Sequence, residues 1–455
     1  MDTLVQKRPS AAPEPEALHE RAPESASPDG NVAGQSARDG WTPRSVYTLV
    51  LLTLIWAISF ADRQMLGLLA PLIKADLELS DTSLGLITGF VFVLLYSVLG
   101  VPVARLADRA SRRNILAAGV AVWSLMTGLS GLAANVWQLT LARLLMGAGE
   151  AAANAPATTL AADIAGPRRR QTAMAVLSTG SGLSALLLLP PAGWIAQAWG
   201  WRGAFMAAGW TGLALCGLLL LTVREPPRAP APAAGRPRDD ALGAARFLLG
   251  SRAYVLTVLG GAFVGVSLYA SQAWHPSFLA RVHHLPIGEV GLASGVLRGV
   301  AGIIGTLLGG VLAERLARRD ARWLLLTPGL ACILALPAEL LFLLSPDLKL
   351  ALTGMLGYHL FIGMHFGPIY VACHALARPT MRATATAVFL LVANLTGQIV
   401  GPLAVGFLND QWAAAFGEEA IRYSLLLGGA CVLAGGLILT LASRTVEADV
   451  RRAAA

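Results

Sequence analysis

The sequence predicts an all-α membrane protein, with twelve transmembrane helices arranged as two six-helix bundles. Composition is the first ground. Of 455 residues 55% are hydrophobic and 14% charged, where a soluble domain carries about 25% charged. The second ground is the grouping of the apolar residues into twelve blocks, each about as long as the roughly 20 residues needed to cross a bilayer. The third is charge placement. The loops at 105–113, 163–170, 223–253, 315–322 and 377–382 hold nineteen Lys and Arg, against five in the alternate loops.

The blocks run at about 45–69, 83–104, 114–133, 137–162, 171–196, 201–222, 254–279, 290–314, 323–344, 350–376, 382–408 and 421–442. Basic residues gather on the cytoplasmic side of membrane proteins, so both termini are expected there. The net charge of +8 is thereby a topology signal, and nucleic-acid binding is not expected. Residues 1–44, rich in Pro, Ala, Glu and Ser without an apolar core, read as a disordered cytoplasmic tail rather than a signal peptide. Residues 45–222 form the expected N-terminal bundle, 223–253 a cytoplasmic linker, 254–442 the C-terminal bundle and 443–455 a second tail. The halves echo each other: ARLADRASRRNIL (104–116) follows the second block and GGVLAERLARRDARW (309–323) ends the eighth and leads into the ninth. A six-plus-six repeat argues for two related bundles around a central cavity.

Polar residues inside the blocks are the functional candidates. In the fourth block Arg143, Gly147, Glu150 and Asn154 share one helix face. A charge near mid-membrane costs about 2.5 kcal/mol or more, so Glu150 must face a cavity or a partner. Taking up a proton is the least costly way to relieve that burden, which makes Glu150 a proton-coupling candidate. A fixed salt bridge to Arg143 is the structural alternative. The first block carries SFADRQMLGLLAP (59–71). Asp62 and Arg63 point about 100° apart on a helix, so different partners are expected, with Arg63 facing Glu150. Protonating that carboxyl would release the guanidinium to an anionic substrate. In the second half Arg298 and the Asn394–Gln398 pair are candidate cavity residues. His275, His359, His365 and His374 are read as packing or hydrogen-bonding residues rather than a relay.

The 104–113 stretch matches the motif G-x-L-A-D-R-x-G-R-R, with Ala104 and Ser111 in the glycine positions. Its charges read as a conformational lock: Asp108, Arg109, Arg112 and Arg113, with Asp163 as a partner for Arg109 or Arg112, and Glu314 with Arg315 in the second half. The four cysteines have no metal-ligand spacing. Walker, nucleophile-elbow, H-E-x-x-H and dinucleotide motifs are absent. No metal, cofactor or enzymatic activity is therefore expected, and transport energy must come from a gradient.

With FADRQMLGLLAPLIKADLELSDTSLGLITG (60–89), RLLMGAGEAAANAPATTLAADIAG (143–166), WGWRGAFMAAG (199–209) and RPTMRATATAVFLLVANLTGQIVGPLAVGFLND (378–410), the chain resembles bacterial Spinster (Spns)-type members of the major facilitator superfamily. That resemblance implies the major facilitator fold, alternating access and secondary active transport. It also implies a lysolipid-like or amphipathic substrate, with Asp62, Arg63 and Glu150 linked to protons and substrate and Arg143 in support. A monomer in the bacterial inner membrane is expected. Organic-anion or sugar-acid symport and drug export are the alternatives within the superfamily. The segment GLSALLLLPPAGW (182–194) degrades the antiporter motif of drug exporters. A non-transporting sensor is the remaining alternative, and short termini argue against it.

Overall fold

The computed structural model describes residues 41–166, 168–226 and 241–454. The expected tail up to Gly40 and the centre of the expected linker, 227–240, lie outside the described residues. Every regular element among those described is helical.

Helix α1 (Pro43–Leu77) begins at a reciprocal cap. The Ser45 N–H donates to the Thr42 hydroxyl at 3.1 Å and the Thr42 N–H to the Ser45 hydroxyl at 2.9 Å. Pro43 occupies a first-turn position, where its missing N–H needs no partner. The second block comprises α2 (Asp81–Leu86), a π turn (Ile87–Val91) and α3 (Phe92–Arg109), and the third is α4 (Arg112–Ser130). The fourth is broken into α5 (Val136–Ala151) and α6 (Asn154–Ala165). Pro156 has no N–H for the Ala152 carbonyl and its ring crowds that group, so the helix parts just beyond Glu150.

The fifth and sixth blocks are continuous in α7 (Arg170–Thr222), 53 residues interrupted at Gly200, whose φ of 72° suits glycine. There follow α8 (Ala241–Leu249), α9 (Arg252–Arg281), α10 (Ile287–Ala317), α11 (Trp323–Leu344), α12 (Leu348–Ala375), α13 (Arg382–Phe416), α14 (Ala420–Ala442) and α15 (Val446–Ala454). Each of the twelve expected blocks falls on helix. By length and apolar content alone, seven stretches suffice to cross a membrane, and two of them, 170–222 and 382–442, each contain two blocks. The third, fourth and tenth blocks fall outside that set. Helix α4 opens on Arg112, Arg113 and Asn114, the fourth block is split, and α12 carries His359, His365 and His374.

The helices alternate in direction and give the bundle two ends. The proximal end holds the start of α1 and the end of α14; the distal end holds the loops at 78–80, 131–135, 282–286 and 345–347. Their cores differ in kind. At the distal end Met65, Leu69, Trp201 and Phe205 from the first half share one apolar cluster with Trp274, Phe278, Phe342 and Val405 from the second. Toward the proximal end the halves have separate cores, one around Leu52, Trp123 and Leu160 and the other around Tyr254, Cys373 and Phe389.

The distal seal is built on close helix approaches. A Cβ on Gly67 would meet the Gln272 carbonyl, and one on Gly89 the Gln398 carbonyl. Polar bonds reinforce it. Arg281 grips the Asp81 carboxylate with two bonds of 2.5 and 2.8 Å, and Lys74 adds a third at 2.7 Å. Asp410 accepts from the Asp81 and Thr82 N–H groups at 3.0 and 2.7 Å, capping α2 from the opposite half.

Candidate functional site

Ser59 and Arg63 stand one helical turn apart on α1, so both reach the same point on α5. That point is Glu150, 1% exposed. Its Oε2 accepts from Arg63 Nε at 2.6 Å and from the Ser59 hydroxyl at 3.0 Å, and a second Arg63 nitrogen also meets it. Oε1 is buried with no hydrogen-bond partner. An ionised buried carboxylate normally fills its lone pairs, so the arrangement is only partly satisfied. Arg63 is held in turn by aromatic faces, with Phe60, Phe92 and Tyr96 centroids 5.1, 5.1 and 5.0 Å from its guanidinium carbon.

Asp62, 2% exposed, faces the other way. Its Oδ2 accepts from the Thr127 hydroxyl of α4 at 3.2 Å. Arg143 donates to the Asp62 backbone carbonyl at 3.2 Å and to the Met146 sulfur at 3.2 Å, leaving its Nε without a partner. Arg143 therefore braces the first helix and does not bond Glu150. Asn154, just past the helix break, donates to the Tyr96 hydroxyl.

Across the interface, Tyr269 on α9 gathers the second-half candidates. Its hydroxyl donates to Asn394 Oδ1 at 3.0 Å and accepts from Gln398 Nε2 at 3.4 Å. A cavity of about 20 Å³, room for a single water, lies between Arg63, Thr88 and Phe92 on one side and Tyr269, Gln272 and Gln398 on the other. Arg298 on α10 is half-buried and makes no hydrogen bond or ion pair among the described residues. It lies within electrostatic reach of Tyr269 and Tyr358.

At the proximal end Arg112 pairs with Asp163 and also with a residue that was not among the sequence candidates. Glu225, just past α7, accepts from the Ser111 hydroxyl at 2.8 Å, from the Arg112 and Arg113 N–H groups at 3.1 and 2.8 Å, and from Arg112 Nε at 3.2 Å. Burial works against its charge, but these donors prevail and hold its carboxyl below the usual glutamate range. Arg113 also donates to the Val223 carbonyl at 3.0 Å. Arg109 is exposed, and the side chain of Asp108 lies outside the described residues. Glu314, 68% exposed, pairs with Arg318 at 2.7 Å rather than with Arg315, which is also exposed.

Tyr269, Glu225 and Glu339 are the polar residues missed from sequence. Tyr269 looks like any aromatic in an apolar block, whereas an acid inside LPAELL was a readable signal.

Comparison with known proteins places this geometry in context. The family model described as Major Facilitator Superfamily matches residues 52–402. An "MFS-type efflux pump" of Mycolicibacterium smegmatis is 35% identical over 410 residues, spanning 90% of this chain and 95% of its own. "Protein spinster homolog 1" of Homo sapiens is 28% identical over 90% of this chain and 83% of its own. Among solved structures, a bacterial homologue of the human lysosomal transporter Spinster, in an inward-facing and unoccupied conformation, superposes with a TM-score of 0.82 at 28% identity, covering 90% of this chain and 99% of that one.

Proposed function

The chain belongs to the Major Facilitator Superfamily, and we propose that it is a proton-coupled secondary active transporter that moves an amphipathic, anionic, lysolipid-like substrate by alternating access. The observation that carries this is the Arg63–Glu150 pair, buried between α1 and α5 with one carboxyl oxygen unsatisfied. While Glu150 is ionised it occupies the guanidinium. A proton on Glu150 removes the competing charge, and Arg63 becomes available to a substrate anion. The aromatic cage of Phe60, Phe92 and Tyr96 then borders the substrate's apolar part.

Arg298, a cation without a carboxylate, is the second attraction for an anion. Asn154, Asn394 and Gln398 contribute hydrogen bonds. Asp62 is the second proton-linked carboxyl, and Arg143 holds its helix in register. Arg112, Arg113 and Asp163 belong to a proximal charge cluster that biases the rocking of the halves, and Asp108, Arg109, Glu314 and Arg315 are assigned the same locking role. The shared distal core and the separate proximal cores support a state closed on the distal side.

The surplus of basic residues in the proximal loops supports cytoplasmic termini, with the chain a monomer in the bacterial cytoplasmic membrane. The efflux pump among its relatives supports export.

The test is proton flux in proteoliposomes holding a pH-sensitive dye, with wild type and Glu150→Gln challenged by a lysolipid, a sugar acid and a cationic drug. Flux with the lysolipid that disappears in the variant is expected. Flux with the sugar acid or drug alone would replace the substrate assignment. Flux undiminished in Glu150→Gln would remove the coupling role.

A further inference from the structure

The C-terminal bundle contains a second buried acid–base cluster that the Arg63–Glu150 reading does not use. His275 Nε2 on α9 lies 3.1 Å from Glu339 Oε1 on α11, and both side chains are 1% exposed. Three of the cluster's polar atoms have no hydrogen-bond partner: Glu339 Oε2, His275 Nδ1 and, on α12, His359 Nε2. The His275 ring packs on Phe342, Tyr358 and His359 at centroid distances of 4.6, 5.4 and 5.8 Å. Such a set is poor building material for a purely structural contact. A buried ion pair gains little over apolar packing unless its remaining lone pairs and protons are satisfied, and here they are not.

The surroundings define what the pair can do. From α12 come Tyr358, which bonds Ser267 of α9 at 2.8 Å, and His359. From α10 comes Arg298, within electrostatic reach of both. Helix α14 brings Gly429 against the Glu339 side chain, and its Arg422 is turned away to Glu419 and the Leu343 carbonyl. Arg281, further along α9, is engaged by Asp81. Among the described residues Glu339 thus has His275 as its one direct basic partner.

One proton between His275 and Glu339 makes the pair neutral overall. Removing it strands a buried carboxylate, and adding another creates an imidazolium near Arg298. His275 lies six residues, about 9 Å, below the distal end of its helix, directly under the shared apolar seal that includes Phe278 and Phe342. Opening that seal would bring water toward this pair.

We propose that the His275–Glu339 pair is a second proton-binding site, in the C-terminal bundle, loaded and unloaded from the distal face. In the uptake step a proton leaves hydronium, water remains, and the proton ends on Glu339 Oε2 or on the His275 ring. The proposal extends the proton-coupled reading but is tested without transport.

The experiment is infrared difference spectroscopy across a pH titration of the purified protein in lipid nanodiscs. The background is Asp62→Asn/Glu150→Gln, which removes the two buried carboxyls of the Arg63 site. A titrating buried-carboxyl band is expected there and should vanish when Glu339→Gln is added, with proton uptake falling by one per molecule. His275→Asn keeps the carboxyl and should shift the band's midpoint by about one pH unit or more. A background protein with no such band, a band that survives Glu339→Gln, or a midpoint unmoved by His275→Asn would each overturn the proposal. Loss of lysolipid-driven flux in Glu150→Gln with the Glu339 band intact keeps both readings. Undiminished flux with the band intact removes only the N-terminal one.

Discussion

Arg63 illustrates how much of this protein's chemistry resides in single side chains. Its guanidinium forms more than one bond to Glu150 while lying among three aromatic rings. Lysine can place a point charge there but cannot reproduce the fork or stack as well. Losing one charge-assisted bond is worth about 1.5–3 kcal/mol. Arg63→Lys is therefore expected to weaken substrate binding about tenfold or more, read as a rise in KM for lysolipid-driven proton flux. An unchanged KM would mean that the substrate does not reach this residue. Asp62 beside it makes the complementary point. Helix geometry predicted different partners for the two residues, one acidic and one basic, but the Asp62 carboxylate bonds a hydroxyl, Thr127, and the guanidinium of Arg143 takes the backbone. Helical geometry separates neighbours, and only the packing of α4 and α5 selects their partners.

At the level of elements, two features have consequences that can be measured. Gly89 lies in the π turn where the Gln398 carbonyl leaves no room for a Cβ. Gly89→Val should prevent distal closure, so labels on the two halves at the distal end should move apart in pulsed electron paramagnetic resonance. An unchanged distance would show that the turn can give way. Glu225 ties the end of α7 to the start of α4. Its folded-state carboxyl titrates below the ordinary glutamate value of about 4.3. Its contribution is thus present above that value and lost as pH falls through the lower, folded one. Glu225→Gln should lower the Tm at neutral pH, by an amount corresponding to about 1 kcal/mol. The gap to wild type should close on acidification, and a gap that widened would reverse the sign argued here.

For the whole molecule, the distal seal is a balance of apolar contact and one buried charge centre. Asp81 is held by Lys74 and Arg281 while Asp410 caps its helix. Breaking such a partly dry ion pair costs about 3 kcal/mol, enough to shift a two-state equilibrium roughly a hundredfold. Asp81→Asn should therefore populate the distally open state, making a cysteine placed at Ala273, beneath the seal, reactive to water-soluble maleimide. A cysteine that stays protected in that variant would assign the closure to the apolar core alone. With the same mutation, the His275–Glu339 pair should exchange protons faster, because its shield is opened.

The sequence by itself determined the membrane class, the twelve helical blocks, the six-plus-six division and the polar residues worth following in the N-terminal bundle. These are legible because apolar length and charge placement are local properties, and a charge inside an apolar block stands out wherever its partner lies. It also held the break in the fourth block, since Pro156 acts on a carbonyl four residues away. Tertiary structure alone decided that Tyr269 collects Asn394 and Gln398, and that Glu225 completes the Arg112–Asp163 cluster. It alone joined His275 to Glu339 across 64 residues of chain. Those pairings depend on helix rotation and depth, which are set by glycine-lined approaches between distant segments, and no local pattern encodes them.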